Sequence, residues 1–527
     1  MYTLGDIPYY GSIHFAERTA IVFEEKRLTY RELNKRVNRL AHALLDMGCK
    51  KGDHLAVLAD NCSKYMEVYF AAAKIGVRVC PQNYRLSDQE LVYIINHGES
   101  TTLMVGDGFE VKILELKPQL KGITRWISMD NELDGFHDYE NILKNSSDAE
   151  PDAEKFNIQE DDLAILMYTG GTTGLPKGVM LSHRNLMTAA LTNAMIVATE
   201  FPSLEKDTPF STCYVLPVFH VSLWPITATM IMGGKVVINR KMDLGEILRL
   251  VQDEKCAHMN LVPIIYGWLV DLGDTSKYDL SSLISLSYAG SPFPPEVLKR
   301  CIQKFGNFFS QGYGATETAG GPITIFDYRD HVIEGPLSYR LSSAGKVAPC
   351  SRIKIVDEDD RVLPVGKWGE ICVKGKHIMM GYWKNEEATQ KALKGGWYHT
   401  GDIGYLDEDG YLFLTDRQTD MIISGGENVY PKETEDVLYQ HPAVKECAVV
   451  SAPDAKWGEI VKAVIVLKTD QTATTEEIIA FCKMRLAGYK CPKSVEFWDD
   501  IPKSIIGKIL KKDIKAKFWA GHDRIIG

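Results

Sequence analysis

The run Tyr168-Thr169-Gly170-Gly171-Thr172-Thr173-Gly174-Leu175-Pro176-Lys177-Gly178 places four glycines and three threonines around one lysine. Glycine lets consecutive backbone amides turn toward an anion, threonine hydroxyls add donors, and Lys177 adds a point charge. That chemistry is phosphate binding. The pattern is not a Walker loop, because Lys177 is followed by Gly178 and no hydroxyl residue. A second stretch, Gln311-Gly312-Tyr313-Gly314-Ala315-Thr316-Glu317-Thr318, offers a hard carboxylate for Mg²⁺ and a flat ring on which a nucleobase can stack. Taken alone, it reads equally well as a strand end with a satisfied carboxylate. A third, Tyr398-His399-Thr400-Gly401-Asp402 with Asp416-Arg417 after it, has an aspartate able to accept both hydroxyls of a ribose, supported by an arginine. In isolation Asp402 is an ordinary turn residue.

The fourth feature has two parts. Gly425 and Gly426, in Ser424-Gly425-Gly426-Glu427-Asn428-Val429-Tyr430-Pro431, allow a narrow ligand close to the backbone. Lys508 ends Pro502-Lys503-Ser504-Ile505-Ile506-Gly507-Lys508, where a glycine turn in a mobile domain could deliver or withdraw its ammonium. Spacing alone does not separate it from Lys503, Lys511 and Lys512, which read as solvated lysines.

The elements that must position these residues follow from apolar periodicity. Thr29-Tyr30-Arg31-Glu32 is a capping box opening an amphipathic helix that ends near Gly48. Strands at 54–58, 77–80 and 101–105 alternate with helices at 64–74 and 88–97, which predicts crossovers in a mostly parallel sheet. The buried strand 163–167 runs into the Gly/Thr loop, and 284–287 runs into a turn before a helix opened by Pro294-Pro295. From about Ser351, short strands between Asp/Gly turns predict a small antiparallel barrel or sheet. After Asp416-Arg417 comes a compact α+β unit of about 110 residues, a common domain size.

The whole chain constrains the setting. At 527 residues it exceeds one hydrophobic core, and a formal charge of −10 argues against nucleic acid and anionic membranes. The N-terminus lacks a basic region before an apolar core, so no secretory leader is expected. Residues 208–234 carry no Asp, Glu, Lys or Arg and match a bilayer in length. Pro209, Pro217 and Pro225 break that segment, and buried core plus a ligand pocket is the better reading. Eleven cysteines without Cys-x-x-Cys spacing predict reduced thiols and a cytoplasmic protein.

In this order, the four motifs resemble the adenylate-forming superfamily of acyl-CoA synthetases, luciferases and peptide-synthetase adenylation domains, from Arg27 to Lys512. The resemblance implies an α/β fold of two doubly wound subdomains plus a small β-barrel, with a mobile α+β C-terminal lid. The implied domains are residues 1–416 and 417–527, and the implied cofactors are ATP, Mg²⁺ and coenzyme A. Thr169, Gly170, Gly171, Thr172, Thr173, Gly174 and Lys177 match the phosphate loop, and Glu317 the metal ligand. Tyr313 and the turn Ala289-Gly290-Ser291-Pro292 match the adenine site, and Gln311, Gly312, Gly314, Ala315 and Thr316 are expected to bind the cofactor with them. Asp402 matches the ribose aspartate, with Arg417 beside it, and Lys508 the lysine that promotes adenylation. Gly425 and Gly426 match the lining of the pantetheine tunnel. Lys508, Glu317 and Thr169 are thus the catalytic set. Thr419 departs from the Lys or Asp usual at the hinge.

The resemblance also narrows the acid. Leu216 to Trp224 is similar to the acyl-pocket helix of fatty and aryl acid ligases. His220 follows Phe219 where amino-acid-activating relatives carry an aspartate, and Gly314 stands where acetate-specific relatives place tryptophan. An apolar, mid-sized pocket lined by Val218, His220, Val221, Trp224, Ala289 and Gly314 is expected, suited to a medium-chain, branched, alicyclic or aromatic acid. The expected partners are that small acid, ATP and CoA, with no nucleic acid, no transmembrane segment, and a homodimer allowed. An adenylation enzyme loading a carrier protein would share every motif. A luciferase-like oxidase and a nucleotide-binding regulator are the remaining rivals.

Overall fold

A computed structural model describes residues 2–169, 176–200, 210–220, 223–272, 274–417, 420–424, 427–454, 457–504 and 507–520. The side chains of residues 153, 415–417, 427, 428 and 458 fall outside the description. Three sheets organise these residues.

The first sheet has eight strands in the order Gly381–Tyr382, Lys177–Ser182, Leu163–Thr169, Arg78–Pro81, His54–Leu58, Ser100–Val105, Arg125–Ser128 and His137–Asp138. From Leu163–Thr169 to His137–Asp138 the pairings are parallel, as strand–helix alternation requires. The capping box at Thr29 is present and starts the Tyr30–Asp46 helix, whose buried stripe includes Leu33, Val37, Leu40 and Leu44. Lys177–Ser182 returns antiparallel on Leu163–Thr169, pairing Thr169 with Lys177. This hairpin carries the two ends of the Gly/Thr loop, whose residues 170–175 lie outside the described residues.

The second sheet has 13 strands. At its centre Lys235–Ile238, Ser211–Tyr214, His258–Leu261, Ser285–Ala289 and Phe309–Tyr313 run parallel. Beyond Phe309–Tyr313 the pairing turns antiparallel, starting with Thr324–Phe326. The antiparallel region therefore begins some residues before Ser351, because strands continue the existing sheet edge instead of starting a separate one. Both large sheets share one hydrophobic core.

The third sheet has five strands, including Val444–Asp454 and Gly458–Leu467, with two cores of its own built from residues between Ile422 and Ile514. Among the described residues, no helix is long and apolar enough to cross a membrane.

Candidate active site

A cleft of about 1590 Å³ opens between the sheets and the C-terminal unit. Thr169, Lys177, residues 311–317, Asp402 and Lys508 all line it, so sites dispersed over 340 positions of sequence meet in one space. Ala289 and Gly290 line it at the C-terminal end of their strand, where Gly290 takes a φ of +86° that suits glycine. Of the remaining turn, Ser291 is half-buried and Pro292 exposed, and neither reaches the lining.

Short contacts order the cleft. The Tyr313 hydroxyl donates to Asp402 Oδ2 at 2.6 Å, which joins the expected base-stacking ring to the expected ribose acceptor. Asp402 lies opposite Arg417 in the strand register. Its backbone N–H donates to Thr400 Oγ1 at 3.0 Å, and Gly401 takes φ +72°. Glu370, on the neighbouring strand, accepts the Gly401 N–H at 3.0 Å and lies 2.8 Å from His399 Nδ1. Glu370 thus holds the turn that aims Asp402.

Tyr382 plays a similar part for the phosphate side. Its hydroxyl donates to Glu317 Oε1 at 2.9 Å, and Lys177 Nζ lies 5.2 Å from its ring centroid. One tyrosine therefore spans the loop lysine and the carboxylate suited to a metal. Sequence reasoning missed both Glu370 and Tyr382. Neither belongs to a motif; only the cross-strand registers bring them in. Glu317 supplies a hard oxygen beside cationic Lys177, a donor type that fits Mg²⁺ held with phosphates.

Lys508 enters from the C-terminal unit on a tight turn. Its N–H donates to Ser504 Oγ at 3.1 Å, and Gly507 has φ +74°. A Cβ at Gly507 would overlap Ile264 Cγ2, so the turn seats directly on the Pro263–Asp271 helix. Two of the neighbouring lysines differ from their expected solvated state, whereas Lys512 is exposed as expected. Lys503 pairs with Glu446 at 2.7 Å and Lys511 with Glu435 at 2.9 Å, while Lys512 joins Lys508 in lining the cleft. His220 faces the same space; burial, helped by the Lys508 ammonium, lowers its imidazole to about 4. It is neutral at pH 7.

The acyl side needs two corrections. Val218 is fully buried in the core, its N–H donating to Asn61 Oδ1 at 2.8 Å and its carbonyl accepting from Tyr69 at 3.2 Å, and it does not line the cleft. Among the described residues, the segment expected to be helical becomes a helix only at Trp224–Ile231, which opens with Pro225 in its first turn, where the missing N–H costs no helical hydrogen bond. Val221, Gly425, Gly426 and Thr419 lie outside the described residues. His220, Trp224, Ala289 and Gly314 do line the cleft.

The second correction is to polarity. Alternate residues of two parallel strands face the cleft, His258, Asn260 and Val262 and then Ser285, Ser287 and Ala289, while on the third strand Ser310, Gly312 and Gly314 line it together with Gln311 and Tyr313. His258 Nε2 lies 2.8 Å from Ser287 Oγ, which also accepts from Asn260 Nδ2 at 2.6 Å. Burial lowers His258 to about 3, so this network is uncharged. The floor is polar where an apolar one was expected. The sequence of the 216–224 segment carries no sign of which strand face points inward.

Residues 13–383 match the AMP-binding enzyme family, and residues 433–508 the AMP-binding enzyme C-terminal domain. The chain belongs to the AMP-binding enzyme family. Feruloyl-CoA synthase of Amycolatopsis sp is 36% identical to this AMP-binding enzyme over 518 residues, covering 98% of this chain and 99% of that protein. A fatty acid–[acyl-carrier-protein] ligase, ScoC of Streptomyces coeruleorubidus, is 32% identical, covering 99% and 98%. Among solved structures, o-succinylbenzoate CoA synthetase of Bacillus subtilis, in complex with its acyl-adenylate intermediate, superimposes with a TM-score of 0.81 at 30% identity, covering 97% of each chain. The AMP-binding enzyme shares this adenylate-forming fold.

Proposed function

We propose that the protein is an AMP-forming acid:CoA ligase. The observation that carries this reading is the meeting of Lys177, Glu317, Asp402 and Lys508 in one cleft. A carboxylate oxygen attacks the α-phosphorus of ATP, the bond to the pyrophosphate oxygen breaks, and an acyl-adenylate forms. A thiolate then attacks the acyl carbon and expels AMP. Two anions must approach in the first step, and Lys508 and Lys177 offset their repulsion. Glu317 would hold Mg²⁺ with the phosphates, and the ion would supply further charge neutralisation. Asp402, steadied by Tyr313, holds the ribose. Thr169 takes part in cradling the phosphates, while the roles expected of residues 170–174, Gly425 and Gly426 fall outside the described residues.

Residues 417–527 form the lid in this proposal. Lys508 seated in the cleft corresponds to the adenylating arrangement, and rotation of the lid would free the thiol's path for the second step. The acid is larger than acetate and without an α-ammonium, of medium-chain, branched, alicyclic or aromatic type. Feruloyl-CoA synthase among the relatives supports an aromatic acid. ScoC supports a second reading, in which the acceptor is a carrier-protein phosphopantetheine. Free thiols at all eleven cysteines agree with a cytoplasmic setting.

The test is pyrophosphate release over a panel of acids, followed by AMP release with CoA or a phosphopantetheinyl carrier. Turnover confined to acetate or amino acids overturns the pocket assignment, and preference for the carrier overturns CoA as acceptor.

A further inference from the structure

The floor of the cleft changes character along its length. At the nucleotide end the strands present Val262, Ala289 and Gly314; four residues back they present His258, Ser285 and Ser310. At about 3.3 Å per residue this gradient spans about 13 Å. The His183–Glu200 helix covers the same channel, turning Asn193, Ile196, Val197 and Glu200 toward it at the spacing of one helical face. Val197 clusters with Phe210, Ala257 and Ile284, each of which immediately precedes a parallel strand. The helix therefore ends at the N-terminal edge of the sheet, and Glu200 stands at the end of the channel remote from Ala289 and Gly290.

Glu200 is only 7% exposed, and its Oε1 has no hydrogen-bond partner among the described residues. A buried acceptor without a donor is destabilising, and the last turn of a helix is unfavourable for a carboxylate. Burial, with Asp327 adding to it and Arg329 opposing, raises the carboxyl to about 8. No part of the adenylation chemistry uses this group. We propose that the acid activated here carries a hydroxyl or phenol at the end remote from its carboxyl, and that Glu200 accepts that O–H at the bottom of the channel. The proposal rests on the ligase reading and names the substrate class of the same site. A neutral donor fits better than an ammonium because the nearby floor is built from uncharged His258, Asn260 and Ser287 and excludes the water that a cation would keep.

The experiment compares kcat/KM for matched acids, 4-hydroxycinnamate against cinnamate and 8-hydroxyoctanoate against octanoate, by pyrophosphate release. The wild type should favour the hydroxylated member of at least one pair by tenfold or more, since a site built around a polar group rejects the analogue lacking it. Glu200→Leu should reduce that preference to within about twofold. Glu200→Gln, which keeps the volume and one acceptor, should lie between them and serves if the leucine variant does not fold. No hydroxyl preference in a wild type that does consume these acids overturns the inference and leaves the ligase reading intact. A preference unchanged in both variants removes Glu200 from it. A wild type that consumes none of the four but does consume other acids of the panel overturns the inference and leaves the ligase reading intact, and one that consumes no acid at all overturns both.

Discussion

Lys508, Tyr382 and Glu200 act in three different ways. Lys508 is a charge brought to developing charge, so Lys508→Ala should slow adenylation by roughly two to three orders of magnitude, the scale of one preorganised contact. Thioester formation from a supplied acyl-adenylate should be largely spared; equal loss in both half-reactions would sink the assignment. Tyr382 touches Glu317 through a single hydroxyl, so Tyr382→Phe should raise the Mg²⁺ concentration for half-maximal activity by about 10–100-fold, the usual cost of removing a partner of a metal ligand. An unchanged Mg²⁺ dependence would reduce Tyr382 to packing. Glu200 gives a pH signature in stability. Its carboxyl titrates near 8 when folded, above its ordinary range, so the folded state holds a proton that the unfolded state has lost. This contribution is favourable relative to an ionised carboxyl at low pH, and stability falls as pH rises from about 4.5 to 8. Glu200→Gln should therefore raise the melting temperature more at pH 8 than at pH 5. A shift equal at both values refutes the protonated state.

Elements decide where these residues meet, and here the sequence was only partly readable. The Asp88–His97 helix and the Thr29 capping box were plain, because periodicity and cap chemistry are local. So was the strand ahead of the Gly/Thr loop. Val218, the polar floor, Tyr382 and Glu370 were not, because each depends on which strand lies beside which and which face turns inward. A one-residue change in that alternation would have exchanged Ser285 and Ser287 for Leu286. The lid turn offers a test at this scale. Gly507→Ala adds a methyl where Ile264 already sits and forces a positive φ on alanine. Adenylation should fall at least tenfold while thioester formation persists. Loss of thioester formation alone would contradict the seating of this turn in the first step.

At the level of the whole molecule, the two large sheets share one core while the C-terminal unit has its own. Scanning calorimetry should therefore resolve two transitions, the smaller from the C-terminal unit, and a single sharp transition would argue against an independent lid. The pairing of Gly381–Tyr382 with Lys177–Ser182 carries a further consequence. That strand's outer edge finds its partner only after the ribosome has made roughly 200 more residues, which at 5–20 residues per second takes about 10–40 s. Through that interval a nascent chain presents an unpaired edge beside the Gly/Thr loop, open to strand addition by any neighbouring polypeptide. Truncation between Ser182 and Gly381 would make the exposure permanent, and fragments of that length belong in inclusion bodies.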